Sequence, residues 1–178
     1  GLTLRSGARR PRYDDDVWDL TELADAPRQL RPSMKILNFA AITHLPWRSV
    51  AKDVALALLA PHDACVLALP QAIRKPRNPA TVNRYLRGWR LWFNWLFAQG
   101  ITTLGDVDSE HCDAYLAQAS WSQPQLGVAQ RRLEPNTIKN LVTPVQVIAS
   151  YGELILSDRY APDFVPWDGR PAHIVAGY

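Results

Sequence analysis

An all-α fold, a compact bundle of about four to five helices, is predicted by three features of the sequence. Apolar residues recur at helical spacing along two long stretches, 80–99 and 135–149. Prolines stand at the start of such stretches and a glycine just past the end of one, as helix termini favour. No strand-rich stretch and no internal repeat appears.

The elements follow in chain order. Residues 1–32 read as an irregular, extended or weakly ordered arm. It holds a basic run to Arg12, an acidic run from Asp14 to Asp16, then Val17-Trp18-Asp19-Leu20, with Pro27 and Pro32 breaking any long helix. Residues 34–39 alternate enough for a short extended piece. A helix is placed at 47–60, opened by Pro46 and closed before Pro61, with Val50, Val54, Ala57 and Leu58 as its apolar stripe. Residues 64–73 read as a further apolar stretch, helical in part and interrupted at Pro70.

The best-defined helix spans 80–99. Asn78 is its N-cap, Pro79 suits its first turn, and Gly100 suits the residue past its end. Val82, Tyr85, Leu86, Trp89, Trp92, Phe93, Leu96 and Phe97 fall in one arc, the predicted core face, with Arg90 near its edge. Opposite lie Arg84 and Arg87 with Leu91 and Trp95, an outward apolar pair that implies either a second covered flank or a partner. A shorter helix is placed at 106–119, with Asp108 as N-cap, Val107 against Cys112 as a hydrophobic staple, and Ala114, Tyr115 and Leu116 inward. Residues 120–134 form a polar loop. The last helix opens at Pro135, with Ile138, Leu141, Val142, Val145, Ile148 and Ala149 on one face and Pro144 expected to kink or split it. The predicted division is an N-terminal extension at 1–44, a helical core at 45–160 and an exit segment at 161–178.

The 178 residues, 47% apolar and 21% charged, suit one ordinary domain and argue against wholesale disorder. No apolar run approaches the roughly 20 residues of a membrane-spanning helix, and residues 1–20 lack the apolar centre of a secretory signal. Cys65 and Cys112 stand in no metal or redox spacing and are expected as reduced, buried thiols of a cytosolic protein. Glycine-rich phosphate loops, nucleophile elbows and His-Glu-x-x-His are all missing, and His44, His62, His111 and His173 are far apart. No metal, cofactor or catalytic group is assigned.

The net charge of +3 is unevenly spread. Arg74, Lys75, Arg77, Arg84, Arg87 and Arg90 occupy 71–99 without an acid, and no acidic residue occurs between Asp63 and Asp106. Such a segment implies a polyanion-facing surface, or a solvated face whose arginines pair with acids elsewhere in the fold.

The run from Pro79 to Leu96 resembles the first helix of the core-binding (SAM-like) domain of tyrosine recombinases, the phage-type integrases. Thr81, Tyr85, Trp89 and the pair Trp95-Leu96 stand where that helix carries its threonine, tyrosine, aromatic and Trp-Leu pair. Gly100, Leu104, Asp106-Val107, His111 and Tyr115-Leu116 fit the family's next segment. Pro135-Asn136-Thr137-Ile138 followed by Leu141 resembles its later helix. Pro162 and Pro166 resemble the linker toward a catalytic domain, and the likeness covers roughly residues 45–167.

The resemblance implies a DNA-binding N-terminal domain that clamps duplex DNA while a separate C-terminal domain exchanges strands. The family's catalytic arginine, lysine, His-x-x-Arg and nucleophilic tyrosine find no match here, so it implies no DNA cleavage by this chain alone. Its implied partners are double-stranded DNA, its own catalytic domain and neighbouring protomers on the DNA. The implied place is the cytoplasm, nucleoid-associated when DNA is bound. The candidate DNA contacts are Arg84, Arg87, Asn83 and Thr81, the preceding Arg74, Lys75 and Arg77, and a second strip of Arg131, Arg132, Asn136 and Lys139. Arg90 is expected to lay its stem along the aromatics. The alternative is a freestanding helical protein–protein interaction module using Trp95, Leu91 and Trp121 as anchors.

Overall fold

The computed structural model describes residues 4–5, 7, 9–23, 27–60 and 77–155, without the side chains of 152–155. The predicted helical stretch 64–73 and the exit segment 161–178 lie outside the described residues, as do Cys65, Arg74 and Lys75.

The described chain is mostly helical. Strands β1 (Val17–Asp19) and β2 (Ile36–Asn38) are followed by α1 (Leu45–Leu59), α2 (Pro79–Ala98), α3 (Ser109–Ala119) and α4 (Pro135–Ile155). Short 3₁₀ turns at Pro32–Lys35 and Leu104–Asp106 complete the order.

The sheet is the departure from an all-α fold. β1 and β2 pair antiparallel with Trp18 opposite Leu37, and these central residues alone in each strand are buried. β2 lies within the extended piece expected at 34–39, whereas the three residues of β1 are too short to announce a period of two. The N-terminal extension packs on the helices, since Trp18, Leu20, Leu23, Leu37, Phe39 and Ile42 belong to the main hydrophobic core. Trp18 meets Phe39 edge to face at 4.8 Å. Arg48 of α1 fastens this segment by an ion pair to Asp16 at 2.8 Å and by donating to the carbonyls of Ile42 and Ala40. Lys52, buried beneath it, donates to the Tyr13 carbonyl at 2.8 Å and lies over the Tyr13 and Phe39 rings.

α1 buries the expected stripe of Val50, Val54, Ala57 and Leu58, and also Trp47, Ala51, Ala55 and Leu59, since the core reaches it on several sides. The Trp47 indole donates to the Ile101 carbonyl at 3.0 Å.

α2 has the predicted ends. The Asn78 side chain accepts from the Thr81 N–H at 3.0 Å. At the other end Ile101 N–H donates to Leu96 O and Gly100 N–H to Phe97 O, the paired bonds of a Schellman motif with Gly100 at φ +80°. Val82, Tyr85, Leu86, Trp89, Trp92, Phe93 and Leu96 are buried as the periodicity requires. Phe97, at the edge of the arc, is 45% exposed and stacks on His44 at 4.7 Å. Arg90 is exposed.

α3 opens on a capping box between Asp108 and His111, and Val107 and Cys112 are both buried. Tyr115 and Leu116 point inward, whereas Ala114, about 200° around the helix from Cys112, is exposed. Burial pushes the Cys112 thiol up to about 12, with the charges of Asp113 and Asp108 adding to the rise. Trp95 of α2 donates to Gln118 Oε1 at 2.8 Å and leans on the Tyr115 ring, so α3 covers that second flank; Leu91 stays exposed.

α4 runs through Pro144 as one helix rather than splitting there. Ile138, Val142, Val145 and Ile148 are buried, while Leu141 and Ala149 are half-buried at the sides of that face. Between α3 and α4 the polar loop is an ordered hairpin, with bridges Trp121 to Arg132 and Gln125 to Val128.

Candidate nucleic-acid interface

The site is built where α2 crosses α4. Gly88 of α2 has no side chain, which lets its backbone lie against the Pro144 ring of α4. One turn before Gly88 stands Arg84; five residues before Pro144 on α4 stands Lys139, with Asn136, Asn140 and Thr143 along the same flank. Together with Tyr85 and Pro144 these side chains line an open groove of ≈ 420 Å³. Two stretches of chain that the sequence offered as separate basic strips thereby meet in one place.

Electrostatics give the groove its character. No carboxylate lines it, and neither Arg84 nor Lys139 takes part in an ion pair among the described residues. Both side chains are exposed. Two uncompensated cations facing one groove repel each other and gain when an anion lies between them. Asn136 and Asn140 add amide donors beside the two cations, whereas the Thr143 hydroxyl spends its proton on the Lys139 carbonyl at 3.0 Å and lines the groove without donating into it. This set suits the oxygens of a phosphate chain.

The other expected contacts separate from it. Arg87 is exposed one turn beyond Arg84 and outside the groove. Asn83 spends its amide internally, donating to the carbonyls of Ile36 at 3.1 Å and Ser33 at 3.3 Å. Thr81 is half-buried, and its own N–H is taken by the Asn78 cap at 3.0 Å. Arg77 is half-buried at the end of α1, where its N–H donates to the Leu58 carbonyl at 3.0 Å. Its charge lies beside Tyr151, opposing the burial that raises that hydroxyl's pKa, with Tyr85 on the same side. Arg131 and Arg132 stand on the returning strand of the hairpin, both exposed. Arg132 lines a second cleft that also contains Asp113 and Trp121, so a carboxylate is already present there.

Sequence reasoning missed Tyr85, Asn140 and Thr143 as groove residues. Asn136, Lys139, Asn140 and Thr143 follow the i, i+3, i+4, i+7 spacing of a single helix face, a polar stripe that was there to be read. Among the described residues there is no group of three or more His, Cys, Asp or Glu able to hold a metal ion, and no helix long and apolar enough to cross a membrane. No protein-family model, curated protein or solved structure matches the chain.

Proposed function

We propose that this chain is the DNA-binding N-terminal domain of a site-specific tyrosine recombinase, with a SAM-like core-binding fold. It clamps duplex DNA for strand exchange carried out by a separate catalytic domain. The observation that carries the reading is the convergence of Arg84, Asn136 and Lys139 in one carboxylate-free groove. The acid-free stretch from 64 to 105 supplies the wider positive field. On this reading Arg84 and Lys139 bind phosphates, Arg87 extends the contact along the backbone, and the chain cleaves no DNA by itself. Neighbouring protomers and the catalytic domain complete the working complex, in the cytoplasm and on the nucleoid.

A freestanding protein-interaction module is the second reading, favoured by the exposure of Leu91 and Trp121. Its third anchor, Trp95, is already engaged by Gln118 and Tyr115.

The deciding experiment is duplex binding by fluorescence anisotropy at several salt concentrations. With about five phosphates engaged, affinity falls roughly 10²–10³-fold between 50 and 200 mM salt. The double variant Arg84→Gln/Lys139→Gln lowers the slope of log K against log salt by about 1.8. An unchanged slope removes these two residues from the interface, and no binding at low salt ends the DNA reading.

A further inference from the structure

We propose that the hairpin of residues 120–133 is a DNA-distorting finger whose tip, Leu126, wedges between neighbouring base pairs from the minor groove. This rests on the duplex-binding reading above and adds a second element to it.

The hairpin is a built structure. Ser122 N–H donates to Arg131 O and Leu133 N–H to Ser120 O, both at 2.8 Å. Across the stem Arg131 N–H reaches the Ser122 hydroxyl at 3.0 Å and the Gln130 amide reaches the Ser122 carbonyl at 2.9 Å. The turn closes through Val128 N–H to Gln125 O, with Gly127 at φ +74°. A segment held at so many points presents its tip in a defined place.

That tip is apolar and bare. Leu126 is fully exposed and Val128 is 60% exposed. A leucine at the end of an ordered turn buries nothing within its own fold, so its apolar surface is available to a partner. Apolar wedges that enter the minor groove and partly unstack a base step use this kind of side chain. Six residues of extended chain reach up to about 20 Å at ~3.3 Å per residue, more than the minor groove's depth of about 7.5 Å.

The surroundings select a polyanion as the occupant. The fourteen residues contain no acid, and of their two arginines Arg132 lines the cleft that holds Asp113, which leaves Arg131, with Gln123, Gln125 and Gln130, for an outside partner. Arg131 is exposed on the stem and makes no ion pair among the described residues, which places a cation where flanking phosphates would run. The stem also leads directly into α4, and Leu133 packs on the cluster of Leu116, Ile138 and Val142, in the first turns of α4 that carry Lys139. Finger and groove therefore belong to one end of the molecule.

The test uses the full chain and two 30-bp duplexes of one sequence, intact or carrying a central mismatch that lowers the unstacking cost. The wild type should prefer the mismatched duplex roughly tenfold, and end-labelled intact duplex should show increased energy transfer on binding. Leu126→Ala should bring the preference to about one and abolish the bend, while its melting temperature and salt slope stay at wild-type values. Salt-dependent duplex binding with the mismatch ratio and bend unaltered in Leu126→Ala overturns the finger and leaves the DNA reading standing. No duplex binding by the wild type overturns both. A variant that alters self-association of the free chain in sedimentation, with DNA behaviour unchanged, assigns the tip to protein contact and overturns the finger as well.

Discussion

Gly88 and Pro144 face each other so closely that a β-carbon on Gly88 would overlap Pro144 Cγ and lie 2.9 Å from its Cβ. Beside them the Trp89 indole donates to the Pro144 carbonyl at 2.8 Å. Each residue is unfavourable in a helix interior when taken alone. Together they set how near α2 comes to α4, and so the width of the Arg84–Lys139 groove.

Gly88→Ala should destabilise the protein. Helix propensity favours alanine by about 1 kcal/mol, but the new methyl meets a ring fused to the backbone, and overpacking costs about 1–3 kcal/mol. The overlap wins because neither helix can yield without moving the other. Urea denaturation should show a lower midpoint with an unchanged slope, and a midpoint at or above wild type would refute the close approach.

Two substitutions at Trp89 divide packing from hydrogen bonding. Trp89→Ala removes a fully buried ring and should cost about 3–5 kcal/mol. Trp89→Phe keeps much of the apolar volume but deletes the bond to Pro144 and should cost less, of order 1–2 kcal/mol. Equal losses in the two variants would show that the indole N–H, rather than the ring, dominates.

Asn83→Ala should act on stability alone. It removes the donor that holds the carbonyls of Ser33 and Ile36, for about 1 kcal/mol. Duplex affinity and its salt dependence should match wild type, in contrast to the Arg84 and Lys139 variants. A reduced salt slope in Asn83→Ala would return this residue to the interface.

Alkaline pH should weaken the fold through Cys112. Its thiol moves from 9.0 to about 12 on burial, so the folded state keeps a proton that the unfolded state releases. Stability is therefore fully present below pH 9 and falls by up to about 1.4 kcal/mol per pH unit above it. Burial raises the Tyr115 and Tyr151 hydroxyls too, adding to the decline at higher pH. Unfolding free energies measured between pH 8 and 11 should fall less steeply in Cys112→Ala than in wild type.

Helix ends were legible in the sequence because their chemistry is local. Asn78, Pro79 and Gly100 bound α2, and Asp108 caps α3, through contacts within a few residues. The core face of α2 was legible too, failing only at Phe97, where the arc meets the rim of the core. That Pro144 does not split its helix was not legible, because its neighbour in space, Gly88, is 56 positions away in the sequence. β2 falls inside the extended piece read at 34–39, but its partner β1 and their pairing escaped for a similar reason: Trp18 and Leu37 lie opposite each other across 19 positions of sequence. Within the candidate site, residue types were readable and their fates were not. Asn83, Arg84 and Arg87 look alike as polar positions on one helix, and only the packing of residues 33–36 turns Asn83 into an internal tie.

The N-terminal segment has a consequence for how the chain is made. Its ties reach far ahead: Asn83 to residues 33–36, Asn94 to Ala41 and Thr43, and Trp47 to Ile101. During synthesis Trp18, Leu20, Leu37 and Phe39 leave the ribosome well before α2 exists to cover them. At about 5–20 residues per second they stay uncovered for seconds. Trp18, Leu20, Leu37 and Phe39 are thus made before the helix that covers them and must wait for it, a window in which chaperone binding and mispairing compete with folding.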